Sequence, residues 1–388
     1  MTNETPQVPL TTPPPSYYPE IPQRPEKSLI RVISEIILAI ILIIFIGVGI
    51  SLATRIWDPL WNPFRPEPEK MIEKMSKRME ELKTFHSEIK IDFEAKSEEG
   101  EEKGYDFKMA ILTGTDIDNT DSQNPKSAGN FEATINLAGM QFFLTGENKT
   151  IGKESYLKLT TIPALPFLQP FFQLMGINLS ALEGQWIKTD RESAKSLLES
   201  LGIPITPEME EETKEGEAKE EETIERLQAL LRDKKLYIVK EEYPDEKIRG
   251  VSNYHYLVAL NKEEIKNLLP ELFKTIRDYT AGTSPIPFDE EEFEKGLEET
   301  LPKLDEFFEK IGEITAEIWI GKKDNYLYKI KAEKEIDLSQ FEEAAETAKG
   351  TIIIKVDIDF SNLNQPVKIE VPKDFKTFEE IILPMISP

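Results

Sequence analysis

The chain has no cysteine among its 388 residues. That excludes disulfides, thiolate metal sites, a cysteine nucleophile and a lipid attached through a cysteine. Only two histidines occur, His86 and His255, too few for a histidine-rich metal centre. Positive charge is also scarce: 47 Lys+Arg face 72 Asp+Glu, for a net charge of −25. A nucleic-acid surface needs clustered Lys and Arg, so that class of partner is excluded. No G-x-S-x-G elbow, P-loop or H-E-x-x-H helix is present, and no other catalytic constellation emerges. An enzyme is therefore not expected, and neither is a metal or cofactor. What remains is a binding, carrier or structural protein.

Hydrophobic residues make up 39% and charged residues 31%, enough apolar mass for a real core beneath a strongly solvated surface. The charge is unevenly spread. Residues 1–65 hold five basic groups (Arg24, Lys27, Arg31, Arg55, Arg65) and five acidic ones (Glu4, Glu20, Glu26, Glu35, Asp58). Taking these from 47 and 72 leaves 42 and 67, so residues 66–388 carry the whole −25.

Residues 1–28 read as a proline-rich disordered tail, with eight prolines between Pro6 and Pro25. Proline fixes φ and removes donors, so no core forms there. Such a tail is either a flexible leader or a ligand for a cytoplasmic proline-recognition partner. A single transmembrane helix is expected over 29–56. Its centre, Ile36 to Thr54, carries no charge over nineteen residues, roughly 28 Å of helix and close to the hydrocarbon thickness of a bilayer. Trp57 and Trp61 follow at the interface, where amphipathic rings settle. A cleaved signal is the competing reading, from Ser51 and Ala53, but 35 residues before the apolar run exceed an ordinary n-region. Basic residues tie at three on each flank. The expected topology puts the N-terminus in the cytoplasm and the large domain outside the cytoplasmic membrane. Residues 57–68 then form a stalk stiffened by Pro59, Pro63, Pro66 and Pro68.

The remainder, 69–388, reads as one α+β domain. Met71, Ile72, Met75, Met79 and Leu82 recur at helical spacing over 69–83. The stripe serves either core packing or a soft binding surface. Phe85, Ile89, Ile91, Phe93 and Ala95 then alternate with polar residues, a pattern repeated at Phe107, Met109 and Ile111 and at Phe131, Ala133, Ile135 and Leu137. Two-residue periodicity with one polar face marks an antiparallel sheet wet on one side. Short strands fit at 140–145, 155–160, 185–189, 236–242 and 251–260. Late strands fit at 314–320, 326–330 (Tyr326, Tyr328, Ile330), 352–360 and 367–371 (Val367, Ile369, Val371). Helices fit at 166–176, 190–201, 223–232, 261–279 and 288–311. Such an order suggests a large curved antiparallel sheet with helices over one face.

Two inserts stand apart. Residues 206–223, with nine Glu against two Lys, are too charged to pack and read as a solvated acidic insertion. Residues 162–177, IPALPFLQPFFQLMGI, carry no charge and three prolines, too short and broken to span a membrane. They form either core or an apolar lid or cavity wall. The Asp116, Asp118, Asn119, Asp121 run resembles the start of a calcium loop, but Asp121 stands where glycine is needed and Ser127 where glutamate is needed. His86 shares a polar strand face with Glu88. His255, between two tyrosines, is expected to be a structural, hydrogen-bonded histidine.

Five stretches resemble a known family. A helix running into TFHSEIKIDFEAKSEE, then QWIKTD, NYHYLVALNKEEIKNLL, EIWIGKKDNYLYKIKAE and the closing TIIIKVDIDFSNLNQPVKIEVP resemble the LolA/LppX-like (LppX/LprG-type) periplasmic lipoprotein-carrier superfamily over residues 69–383. That resemblance implies a curved antiparallel β half-barrel with helices on its concave face. It also implies an apolar cavity for acyl chains or a lipidated protein, and no enzymatic activity. The chain departs from lipoprotein members in having an apolar segment instead of a lipobox cysteine. It departs from soluble carriers in being tethered, which favours local transfer or sensing over shuttling. Expected cavity-lining residues are Phe107, Met109, Phe131, Phe167, Leu168, Phe171, Phe172 and Met175. The alternative is a cell-envelope interaction or sensor protein that uses the same scaffold as a protein-binding platform.

Overall fold

A computed structural model describes residues 58–97, 107–137, 139–163, 182–189, 222–223, 225–227, 229–231, 234–283, 295, 303–341, 350–377 and 380–381. The proline-rich tail, the segment at 29–56, residues 206–221 of the acidic insertion and residues 164–177 of the uncharged one lie outside them. So do the helices expected at 166–176 and 190–201. Among the described residues no helix is long and apolar enough to cross a membrane.

The chain forms two compact units, Met1–Asp58 with Asn62–Phe64 and Pro59–Trp61 with Arg65–Pro388. In the first, the Asn62 amide donates to Asp58 Oδ1 at 2.6 Å and Asn62 Oδ1 accepts from the Phe64 N–H at 3.0 Å. The second holds all the strands described below.

Twelve strands make one sheet: β1 (Thr84–Ser97), β2 (Phe107–Asp118), β3 (Lys126–Leu137), β4 (Met140–Ile151), β5 (Glu154–Thr161), β6 (Trp186–Lys188), β7 (Tyr237–Ile248), β8 (Val251–Leu260), β9 (Thr315–Gly321), β10 (Leu327–Asp337), β11 (Gly350–Ser361) and β12 (Phe375–Thr377). Their order is β12-β6-β5-β4-β3-β2-β1-β11-β10-β9-β8-β7. Two meanders, β1 to β6 and β7 to β11, are thus joined where the first strand pairs with β11. Every pair is antiparallel except β12 with β6. Helices α1 (Pro68–Glu80), α2 (Lys262–Thr283) and α3 (Leu304–Ile311) accompany the sheet among the described residues. The expected α+β class with a large antiparallel sheet is what the structure contains.

Pleating sorts the side chains. Paired residues share a face, so the register links Tyr256, Ile318, Ile330, Ile358, Ile89, Thr113, Phe131 and Gly146 into one row across eight strands. We call this the inner face. Helix α1 covers its β7–β10 end: Met71 packs with Tyr254, Tyr256, Val258, Ile318, Ile320 and Leu327, flanked by Ile72, Met75 and Met79. The methionine stripe is therefore core. Ile320 is fully buried, and burying such a side chain stabilises by about 1.5–3 kcal/mol. Pro68 opens α1, where a missing N–H costs nothing.

Opposite charges alternate across the outer face. Lys329 reaches Asp357 at 2.7 Å, Lys355 reaches Glu333 at 2.9 Å and Lys108 reaches Glu94 at 2.5 Å. Such exposed pairs fix register more than they stabilise. Both sheet edges are blunted. Strand β7 carries Pro244 and two register shifts, and β12 is three residues long. These are devices that discourage edge-to-edge pairing. The β7–β8 turn is Arg249-Gly250, with φ of 49° and 84°, the left-handed pair that a two-residue hairpin needs.

Two expectations fail. Val367, Ile369 and Val371 form no strand; Pro366 and Pro372 bracket the run and remove donors a ladder needs. Tyr326, Tyr328 and Ile330 do not share a face either. A register shift between Leu327 and Lys329 reverses the alternation and turns Leu327 into the core. The extra residue of a bulge has this effect.

Candidate functional site

The inner face continues past β11, beyond the cluster around Met71. Across β1 to β5 it presents Ile89, Ile91, Phe93 and Ala95, then Phe107, Met109, Ile111 and Thr113, then Phe131, Ala133, Ile135 and Leu137, then Met140, Phe142, Leu144 and Gly146, and finally Leu157 and Leu159. No charged side chain occurs on this side of these five strands, whereas the reverse side bears Glu88, Lys90, Asp92, Glu94, Lys108, Glu132, Glu147 and Lys158. Strand alternation alone causes the separation.

The packing here is looser than around Met71. Phe107, Met109, Ile111, Phe131, Ala133 and Ile135 are half-buried, and Leu137 and Met140 are 40% and 52% exposed. Phe93 and Phe107 meet edge-to-face at 5.8 Å. The Phe131 ring lies over Gly146, where an added Cβ would stand 2.5 Å from Phe131 Cζ and 2.6 Å from the Lys158 carbonyl oxygen. Glycine is what lets that ring lie flat on β4.

Of the expected lining residues, Phe107, Met109 and Phe131 stand together on this face, Phe107 opposite Ala95 and Leu137, Met109 opposite Phe93 and Ile135. Phe167, Leu168, Phe171, Phe172 and Met175 lie outside the described residues. Ile91, Ile111, Ala133, Ile135, Phe142 and Leu144 belong to the same surface. The alternation that identified their strands already carried that information.

At the other end of the same face the character changes. The row below Ile89 reads Ser87, Thr115, Gly129, Asn148 and Leu157, and the next reads Phe85, Ile117, Ser127, Thr150 and Ser155. These polar groups are all uncharged. An added Cβ at Gly129 would stand 2.7 Å from Thr115 Oγ1 and 3.0 Å from Asn148 Oδ1; both oxygens lean over the space the glycine leaves.

Titratable groups with marked surroundings lie elsewhere. Arg65, with 3% of its side chain exposed, reaches Glu242 at 2.6 Å and Asp245 at 2.8 Å and lies 4.9 Å from the Tyr254 ring centre. Desolvation pulls its pKa down, but the hydrogen bonds and charges of Asp245 and Glu242 outweigh that and raise it above the ordinary arginine value. The cluster ties the start of the domain to edge strand β7. Burial raises the Tyr256 phenol well above its usual range. His255 Nε2 bonds Glu317 at 2.8 Å and the ring stacks on Trp319 at 4.3 Å, the structural setting its sequence position suggested. His86 pairs with Asp116 at 2.8 Å rather than with Glu88.

The acidic run of the β2–β3 turn is occupied locally. Asp118 accepts from the Thr120 hydroxyl and N–H at 2.6 and 3.0 Å, and Asp121 accepts from the Gln123 N–H at 3.1 Å. Among the described residues no group of three or more His, Asp or Glu side chains could hold a metal ion.

No protein-family model matches the chain, and no curated protein matches it. Solved structures do. The lipoprotein LppX of Mycobacterium tuberculosis is 10% identical, with 79% of this chain and 100% of that one covered, at a TM-score of 0.30. LprF of Mycobacterium bovis is 14% identical over 79% and 98%, at 0.33. A LolA superfamily protein of Nitrosomonas europaea is 8% identical over 79% and 96%, at 0.15. The likeness is one of fold, at low identity, to the proteins whose family the sequence motifs resemble.

Proposed function

We propose that the inner face of β1 to β5 binds an acyl chain, of a lipid or of a lipidated protein, without catalysing a reaction on it. The observation that carries the reading is the uncharged face itself: five strands of aliphatic and aromatic side chains, half-buried where the Met71 cluster is fully buried, in a chain of which 31% is charged. Water on such a surface is costly, and apolar contact recovers about 25 cal/mol per Å². From Ile89 to Ala95 the apolar rows span six residue steps, roughly 20 Å at strand rise, longer than the ~15 Å half-thickness of a bilayer core. That length suits an extended acyl chain.

The same reading gives the sheet a half-barrel curvature with helices on its concave side. It assigns the uncharged segment 162–177, with Phe167, Leu168, Phe171, Phe172 and Met175, to the lid or wall of the cavity. In this reading residues 29–56 span the cytoplasmic membrane once, the proline-rich tail faces the cytoplasm, and the domain acts outside it in local transfer or sensing. The net −25 of residues 66–388 keeps anionic headgroups from docking on the charged surface.

The test is a titration of the full chain, held in phosphatidylcholine nanodiscs, with an anthroyloxy-labelled fatty acid. Saturable enhancement beyond that of empty nanodiscs is expected; its absence would count decisively against acyl binding. Reporter fusions at each terminus test the topology, and activity of a cytoplasm-only reporter at the C-terminus would sink it.

A further inference from the structure

Residues 58–65 are inside out. Among the described residues Trp61 and Phe64 are the most exposed large hydrophobic side chains, at 63% and 56%, and Leu60 follows at 46%. The polar members of the same stretch are the ones withdrawn from water: Asp58 and Asn62 are buried, and Arg65 keeps only 3% of its side chain exposed. Water-facing surfaces show the reverse, so buried polar groups alternating with exposed aromatic ones point to a neighbour other than water. The end of the stretch is also fixed. Arg65 forks onto Glu242 and Asp245 of β7, Lys322 pairs with the same Asp245, and both cations lie 4.9 Å from the Tyr254 ring centre. A loose spacer would leave its arginine in water.

From this we infer that Leu60, Trp61 and Phe64 seat the domain on the bilayer interface, with Arg65 as the clasp that keeps edge strand β7 beside it. The inference rests on the reading of residues 29–56 as a membrane span and adds where the domain sits on that membrane. Three features select a bilayer as the occupant. The uncharged run ends at Thr54, and six residues on from it Leu60 lies at most about 20 Å away even if the chain is fully extended. Indole and phenyl rings are the side chains that settle at headgroup level. Between Asp58 and Phe64 there is no further charge, and Arg65 is committed to two carboxylates, so the contact is apolar. It needs no anionic lipid, which the net −25 of residues 66–388 would repel. Residues 58–65 then act as a seat and not as a spacer that holds the domain off the membrane.

The chain has no cysteine, so single cysteines can be labelled cleanly in the full chain held in phosphatidylcholine nanodiscs. A bimane label at Leu60→Cys reads lipid contact through quenching by doxyl-labelled phosphatidylcholine. A donor dye at Lys247→Cys on β7, or at Glu132→Cys on β3, reads height through energy transfer to headgroup-labelled acceptor lipid. Seven strand steps separate β3 from β7, roughly 34 Å along the sheet. The Leu60 label should be quenched, and transfer from Lys247 should exceed transfer from Glu132. Neither should change when salt is raised, because the contact is apolar. Trp61→Ser with Phe64→Ser should abolish the quenching and the difference in transfer while leaving the melting temperature unchanged, since exposed rings hold no core. Arg65→Ala should keep the Leu60 quenching and lose the difference in transfer. The serine pair keeps the test decisive if Arg65→Ala does not fold.

An inserted chain whose Leu60 label escapes quenching, whether bathed in water or covered by a second copy or another protein, would overturn the seat and leave the span standing. So would equal transfer from the two sites, loss of quenching on added salt, or a lowered melting temperature in the serine pair. A folded Arg65→Ala chain that keeps the difference in transfer would overturn the clasp. A chain that alkaline carbonate strips from membranes would overturn the span, and the seat with it.

Discussion

Ala133 offers the sharpest separation between a binding surface and an ordinary core. It stands on the inner face between Ile111 and Leu144 and is half-buried. Consider Ala133→Phe. If the face is already filled, the new ring has nowhere to go, and overpacking of this kind costs about 1–3 kcal/mol. If the face is open to a ligand, the ring lies on it at no such cost and occupies ligand space. Taking roughly 80 Å² of blocked contact, about half of what a buried Phe covers, at about 25 cal/mol per Å², acyl binding should weaken by about 2 kcal/mol. That is roughly thirtyfold in Kd. Two readouts on one preparation decide: probe affinity, and the urea midpoint followed by tryptophan fluorescence. The acyl-binding account predicts weakened binding with an unchanged midpoint. A lowered midpoint with unchanged binding would refute the reasoning, because the face would then be packed core.

Further outcomes follow from the same geometry. Arg65→Ala should destabilise by about 3 kcal/mol, near the lower end for breaking a buried ion pair, because Asp245 keeps Lys322; chemical denaturation measures it, and Arg65→Lys should restore only part, having no fork to reach two carboxylates. Gly146→Val should cost about 1–3 kcal/mol by driving a side chain into Phe131 and the β5 backbone, seen as a lowered melting temperature. Asp118 has its carboxyl held below the usual range by the Thr120 hydroxyl, then by the Thr120 N–H. A depressed folded pKa gives stability that is present above the unfolded value of about 3.9 and lost as pH falls through the folded one. Thr120→Val should therefore remove stability at neutral pH and flatten the acid limb of a stability–pH profile. Raising salt from low to 0.5 M should leave acyl-probe affinity nearly unchanged, since apolar contact is not screened; a steep salt slope would point to charged contacts instead.

Much of this sheet is legible in the sequence because alternation is a direct image of the pleat. Ile89, Ile91, Phe93 and Ala95 fall on one face for the same reason they fall on odd positions, and Phe107, Met109 and Phe131 follow them there. Legibility ends where a local event breaks the period. The register shift beside Leu327 moves Tyr328 off the face that its spacing from Ile330 suggests, and nothing in the composition of that hairpin marks the extra residue. The run from Val367 to Val371 has the right alternation, but its flanking prolines deny it a ladder. The pairing of β1 with β11, which joins the two meanders, links residues some 270 positions apart and leaves no local trace. The polar end of the same face is hidden for a related reason: Ser87, Thr115 and Asn148 look like ordinary strand residues until the register sets them in one row.

The central claim is that this face holds an acyl chain. Native mass spectrometry of the full chain, released from nanodiscs after incubation with monoolein, measures that most directly. The account predicts a bound species of the added mass at a fixed stoichiometry, reduced by Ala133→Phe. Bare protein alone, from correctly folded material incubated with excess ligand, would contradict it.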